Sequence, residues 1–267
     1  METPHGPGPL LEGLSAVVTG GADGIGGAIV AGFAAHGARV LAVDRDEQAL
    51  ARLPGDVATL ALDVTDADAA TRIAAVCEPD VVVNNVGHFL FPQTRFADSD
   101  PSEWDAIEAV NLTHVLRVTH ALLPGMIARG RGGSIVNLTT VEAFRGIPGH
   151  AVYAACKAAV TQFGRALAVE LGGHGIRVNA IAPDVIETPQ LPYSDWVAVE
   201  ERWRWGTWVP LARHGSAHAV AGAALFLASP LSAFVTGTTV HVDGGTHAAG
   251  GWYPRSAGGW TNRPLEP

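Results

Sequence analysis

The stretch Leu14-Ser15-Ala16-Val17-Val18-Thr19-Gly20-Gly21-Ala22-Asp23-Gly24-Ile25-Gly26 decides the fold. A β-branched apolar run ends in a cluster of glycines, and an apolar helical pattern, Ile25–His36, begins at once. Glycines at such a junction let the backbone turn tightly and approach a pyrophosphate, whose charge is stabilised by the N–H groups at the helix start. Gly-rich turns also join strands to helices in proteins that bind no nucleotide, so the turn needs its context. Working outward, short apolar runs alternate with Ala-rich helical stretches. The strand candidates are Leu14–Thr19, Arg39–Val43, Val57–Leu62, Val81–Asn84, Ser134–Leu138, Arg177–Ile181 and Thr238–Val242. Between them fall helix candidates at Ile25–His36, Ala67–Cys77, Ser102–Arg129 with a break at Pro124-Gly125, Ala151–Leu171 and Ala217–Ala228. This rhythm, with strands apolar on both faces, predicts an α/β fold: a doubly wound parallel sheet of about seven strands with helices on both faces, in one domain.

Asp44, at the end of the second strand, lies 18 residues beyond Gly26, near the ~20-residue offset at which a carboxylate meets a ribose 2′-hydroxyl. A carboxylate there accepts a hydrogen bond from NAD and repels the 2′-phosphate of NADP, and Asp23 inside the turn adds a second negative charge. Arg45 is the counter-signal, since a guanidinium could clamp a 2′-phosphate; the balance favours NAD.

Composition narrows the function classes. Of 267 residues 48% are hydrophobic and 16% charged, so the chain is globular and core-rich; the formal net charge of −9 disfavours binding to nucleic acid or to an anionic membrane surface. Cys77 and Cys156 show no ligand spacing, no metal site is signalled, and the histidines form no HExxH pattern. No Lys or Arg precedes Arg39, and the longest apolar stretch, Ala219–Ala228, is too short for a bilayer. A cytoplasmic protein is expected.

Further motifs stand in order along the chain: Asp63-Val64 after the third strand, Asn84-Asn85-Val86-Gly87, Asn111, Tyr153-Ala154-Ala155-Cys156-Lys157, Pro183 to Thr188, and Val242-Asp243-Gly244-Gly245. With the TGxxxGxG turn at Thr19–Gly26, the set resembles the short-chain dehydrogenase/reductase family over about Leu14 to Gly245. The resemblance implies a Rossmann-like fold and NAD(P)-dependent interconversion of an alcohol and a ketone. It assigns Gly20, Asp23, Gly24, Ile25, Gly26, Asp44 and Arg45 to the cofactor, with Asp63 and Val64 at the adenine. Asn85, Val86 and Gly87 would line the cofactor, and Pro183, Ile186 and Thr188 its nicotinamide end. Tyr153 becomes the general acid–base, Lys157 its electrostatic partner and a ligand of the nicotinamide ribose, and Asn111 the holder of a water linking Lys157 to solvent. The spacing makes sense of these roles. Tyr153 and Lys157 share one helix face, and an ammonium one turn away favours the phenolate of a group whose ordinary pKa, near 10, makes a poor base.

Three features depart from the family pattern. Thr140 stands thirteen residues before Tyr153, where the family has serine; it keeps the hydroxyl, with a methyl that narrows the pocket. Asp184 follows Pro183 in place of glycine, either to bind a substrate hydroxyl or to cap the loop that follows. Cys156 replaces a common serine and reads as a packed small residue. Between Thr140 and Tyr153, Glu142 and His150 are candidate substrate contacts, and His88 carries the same ambiguity as His150.

The segment Asp184–His214 is a candidate substrate lid, holding Trp196, Trp203, Trp205 and Trp208. Its indoles suit a bulky hydrophobic or cyclic alcohol or ketone such as a steroid, a terpenoid or a cyclic diol, with Trp196 as a substrate contact. The alternatives are packing of these rings on the protein body, a 3-oxoacyl thioester as substrate, or a non-catalytic NAD-binding sensor. The family's habit implies a homotetramer built on the helices Ser102–Arg129 and Ala151–Leu171. The tail Thr246–Pro267, with Trp252, Tyr253 and Trp260, is expected to pack over a neighbouring subunit's entrance.

Overall fold

The computed structural model describes residues 8–251, 253–254 and 260–261. Seven parallel strands form one sheet: β1 (Ser15–Thr19), β2 (Arg39–Asp44), β3 (Ala58–Ala61), β4 (Val81–Asn84), β5 (Gly133–Leu138), β6 (Ile176–Pro183) and a last strand, Thr239–Val242. Their spatial order is β3-β2-β1-β4-β5-β6 followed by Thr239–Val242. All seven predicted strands are present.

Period-two alternation explains the two-sided core. Val17 pairs with Leu41 on one side and Val82 on the other. It packs with Ile73, Val118, Leu122, Met126 and Leu171 from the helices Ala69–Val76, His114–Arg129 and Ala151–Leu171. Its neighbours Ala16 and Val18 point the other way, onto Ile29 and Phe33 of α1 (Gly24–Ala35) and Val220, Ala224 and Leu227 of the Ala217–Ala228 helix. Burial of such Val, Leu and Ile side chains is worth roughly 1.5–3 kcal/mol each, so a strand slip by one residue would invert both faces at once.

Chain connection reverses direction between β1 and β4. Crevices at such a switch point, beyond the carboxyl ends of the strands, are where open α/β sheets bind ligands.

The expected break at Pro124-Gly125 does not occur: the His114–Arg129 helix runs through Pro124. Pro124 and His120 lie on the solvent side, so the carbonyl that loses its N–H partner stays hydrated. The irregularity falls earlier, where Trp104–Glu108 passes through a π turn, Ala109–Thr113, that carries Asn111. The candidate lid is a series of short pieces. Ile186–Glu187 pairs in parallel with Gly215–Ser216, and Tyr193–Trp196, Val199–Arg204 and Trp205–Trp208 are one- or two-turn helices. In the tail, Tyr253–Pro254 pairs antiparallel with Trp260–Thr261; Trp252 lies outside the described residues, as does the rest of the expected tail contact. Among the described residues no helix is long and apolar enough to cross a membrane.

Candidate active site

At the switch point the strand ends surround a cavity of about 810 Å³. Every residue assigned above to the cofactor, from Gly20 to Thr188, lines it. The glycine turn is held by Asn85, whose Nδ2 donates to the carbonyls of Thr19 and Gly20, both at 3.0 Å, while its backbone N–H donates to Thr19 Oγ1 at 3.1 Å. Gly20 adopts φ +63°, and a Cβ at Gly26 would lie 1.8 Å from the Gly20 carbonyl oxygen, so only glycine permits this turn. Asp23 caps α1 by accepting from Gly24 N–H at 2.6 Å. Asp44 accepts from the N–H groups of Ala22 at 3.1 Å and Asp46 at 3.0 Å, which fixes its carboxylate at the cavity wall. Arg45 is 3.6 Å from Asp63. Burial alone would raise the Asp63 carboxyl, but hydrogen bonds from Thr65 and the Arg45 charge outweigh it and hold the group below the usual range. These residues fit a dinucleotide: a glycine cradle at a helix N-terminus, a carboxylate fixed at the end of β2, and one cavity of about 810 Å³ that runs from the glycine turn to Thr188.

The chemistry-bearing end lies at the carboxyl ends of β4 and β5. Lys157 is fully enclosed; its ammonium donates to the Leu138 carbonyl at 3.2 Å and sits 6.0 Å from the centre of the Tyr153 ring. Burial pushes Lys157 down to about 8. A Cβ at Gly87 would lie 2.5 Å from Lys157 Nζ and 3.2 Å from Asn111 Oδ1, so glycine is what lets these groups converge. Asn111 is buried on its π turn and donates to the carbonyls of His88 and Ile107, each at 2.8 Å, while accepting from His88 N–H at 3.1 Å. It stands behind the cavity wall and does not line it.

Desolvation pushes the Tyr153 phenol above its ordinary value; a hydrogen bond with Thr140 opposes this and the Glu142 charge adds to it. The lowering expected from Lys157 is not seen: enclosure governs the phenol. Cys156 is buried, and burial raises its thiol, which suits a packing role and not a nucleophile.

Glu142 and Asp184 line the cavity, whereas Arg145 does not. Arg145 Nη2 donates to Glu142 Oε1 at 2.9 Å and to Asp184 Oδ2 at 2.7 Å, and Thr246 Oγ1 donates to the same Asp184 oxygen at 2.6 Å. His150 and Trp196 are not brought to this cavity. The His150 ring lies 4.4 Å from Phe89 at a small neighbouring cleft, and Trp196 is 59% exposed. Of the other tryptophans of the segment 184–214, Trp205 packs with Val185 and Val209, Trp208 lines the cavity, and Trp203 is exposed.

A family model described as enoyl-(acyl carrier protein) reductase matches residues 20–247. The chain is 40% identical over 253 residues to the 3-oxoacyl-[acyl-carrier-protein] reductase of Thermotoga maritima, covering 88% of this chain and 98% of the relative. This chain belongs to the short-chain dehydrogenase/reductase family. It is also 38% identical over 240 residues to the L-xylulose reductase of Bos taurus, covering 88% of this chain and 97% of that one. A solved structure from Agrobacterium tumefaciens with bound NADP superposes with a TM-score of 0.81 at 34% identity, covering 90% of this chain and 99% of that one. The protein is thus an oxidoreductase of the short-chain dehydrogenase/reductase family that acts on alcohol or ketone groups with a nicotinamide cofactor.

Within this dehydrogenase/reductase site, sequence reasoning missed Phe89 and Arg145. The Phe89 ring lies 4.4 Å from Tyr153. The loop that carries Phe89 is tied to Asn111, and its next residue, Leu90, has φ +64°. No spacing rule reaches either residue, because each acts through a loop conformation set by distant partners.

Proposed function

We propose that this chain is a dehydrogenase that prefers NAD and oxidises a bulky or cyclic secondary alcohol to the ketone. The observation that carries the reading is the convergence of Tyr153, Thr140 and Lys157 on a cavity whose adjoining walls are Phe89, Leu90, Ile147, Val185 and Trp208. When bound, oxidised NAD supplies the hydride acceptor and a positive ring whose charge favours the Tyr153 phenolate. Thr140 holds the alcohol oxygen through its hydroxyl, and Tyr153 removes the hydroxyl proton. Lys157, still protonated at pH 7, keeps a positive charge near the phenol, and the proton that Tyr153 takes from the alcohol leaves to solvent by way of a water that Asn111 would hold. The preference for NAD rests on the fixed Asp44 carboxylate, where a 2′-phosphate would meet like charge.

A second reading, a 3-oxoacyl thioester reductase, is favoured by the similarity to the Thermotoga maritima enzyme. The apolar rings around the cavity support the cyclic alcohol. We place the protein in the cytoplasm as a homotetramer, organised as one domain with a lid at 184–214. The fully exposed Phe234, with Phe226 and Leu231 also exposed, supports a subunit contact.

The test is absorbance at the reduced-nicotinamide band with a panel of cyclic secondary alcohols, steroids included, and an acetoacetyl thioester in the reductive direction, each with NAD or NADP and each beside Tyr153→Phe. NAD-dependent alcohol oxidation abolished in Tyr153→Phe is the expected result. Turnover of the thioester alone would replace this reading with the second.

A further inference from the structure

Carboxylates dominate the charge of the cavity. Among the described lining residues the cations are Arg45, drawn to Asp63 at the adenosine end, and Lys157, buried beneath Tyr153. The substrate end presents Glu142 and Asp184, whose side chains are only 13% and 11% exposed. Their counter-ion, Arg145, bonds both from outside the lining. One guanidinium against two carboxylates leaves a net negative charge on this wall.

Acceptor capacity remains as well. Asp184 Oδ2 receives both Arg145 and Thr246, while Asp184 Oδ1 receives no hydrogen bond among the described residues, and Glu142 Oε2 has only a long contact of 3.4 Å from Arg145 Nε. Thr140, which lines the cavity with Tyr153, is two residues before Glu142 and accepts from the Glu142 N–H at 3.3 Å, so this wall adjoins the acid–base group through one short segment.

We propose that Glu142 and Asp184 form an acceptor site for a second hydroxyl group of the substrate, selecting a neutral cyclic diol and rejecting a ring that carries a carboxylate or phosphate. The proposal rests on the dehydrogenase reading of the same cavity. A hydroxyl donating to an ionised carboxylate makes a stronger bond than one donating to a neutral acceptor. A substrate carboxylate placed there would be desolvated against like charge, which is the usual means of rejecting a competitor. Arg145 is a positioning residue in this scheme: it holds the two carboxylates together and never meets the substrate.

The experiment compares cyclohexanol, the 1,2-, 1,3- and 1,4-cyclohexanediols and 3-hydroxycyclohexanecarboxylate on the parent, Glu142→Gln and Asp184→Asn. One readout is kcat/KM with NAD and with NADP; the other is the change in NADH fluorescence when each alcohol binds the enzyme–NADH complex. At least one diol should exceed cyclohexanol by roughly tenfold or more in the parent, mostly through KM. The carboxylate should be refused. In the variants the diol-to-cyclohexanol ratio should fall toward one, and the carboxylate should gain on the diol by a similar factor. Cyclohexanol turnover with a ratio that is the same in parent and variants overturns the acceptor site alone. No turnover of any alcohol overturns the dehydrogenase reading, and the fluorescence comparison then decides the acceptor site independently. If Asp184→Asn loses NADH binding through misfolding, Glu142→Gln carries the test, since its side chain keeps the bond to Arg145 through the amide oxygen.

Discussion

Lys157→Met should make the protein more stable at neutral pH while removing its activity, and the gain should disappear as the pH rises. The Lys157 side chain is fully enclosed, and burial lowers it from 10.5 to about 8. In the window between these values the unfolded chain binds the proton and the folded chain does not, so the wild-type protein gains stability as pH rises from about 8 to about 10.5. Below about 8 the ammonium is charged in both states and the whole desolvation cost is present. That depression corresponds to about 3 kcal/mol. Methionine has similar length and no charge, so the variant escapes this cost. Loss of the bond to the Leu138 carbonyl returns about 1 kcal/mol, leaving a net gain of about 2 kcal/mol at pH 7. For a chain of this size that is roughly 4–8 °C in Tm. Denaturant unfolding of both proteins at pH 7, 8, 9 and 10, at one fixed protein concentration, measures the difference. A difference that stays constant across this range would refute the reasoning, because only a titrating group that is shifted by folding produces the slope.

Two further substitutions test the site directly. Thr140→Ser should retain turnover, and Thr140→Val should lose roughly 10²–10³-fold in kcat, the usual cost of one donor at a developing oxyanion; equal rates for the valine variant and the parent remove Thr140 from the mechanism. Gly26→Ala should abolish NADH binding in a fluorescence titration and lower the Tm, because its methyl would lie 1.8 Å from the Gly20 carbonyl oxygen; unchanged binding would show that the turn has slack the geometry denies.

The sheet was legible because its signal is local and repeated. Val81–Asn84 is buried along its whole length, and the same apolar density marks β1, β5 and β6. The glycine turn was legible for a different reason: glycines at a strand-to-helix junction are dictated by backbone sterics, which the sequence states outright. Tertiary context decides what was hidden. The four tryptophans of the segment 184–214 look alike in the sequence, yet Trp205 is buried, and Trp208, stacked on it at 6.5 Å, lines the cavity while staying 47% exposed. Trp203, on the preceding helix Val199–Arg204, is exposed. The π turn at Ala109–Thr113 has no composition signal either; Asn111 is buried there and hydrogen-bonded to the carbonyls of Ile107 and His88. Pro124 looked like a break because propensity rules ignore that its face of the helix meets solvent.

The start of the segment 184–214 shows how a local rule is broken beside the cavity. Val185 has φ +51°, a left-handed conformation that costs a β-branched residue roughly 1–3 kcal/mol. Strain of that size persists only where surrounding structure holds it. Here Val185 is 3% exposed and packs with Trp205 and Val209, a burial worth roughly 1.5–3 kcal/mol. On its other side Asp184 is fixed by Arg145 and Thr246. The turn therefore holds the Asp184 carboxylate at the cavity wall while its neighbour anchors the segment that carries Trp205. Relaxing Val185 to an ordinary β conformation would draw Trp205 from its packing and turn Asp184 away from Arg145. The strain at Val185, the buried tryptophan and the charge of the cavity wall are consequences of one backbone choice.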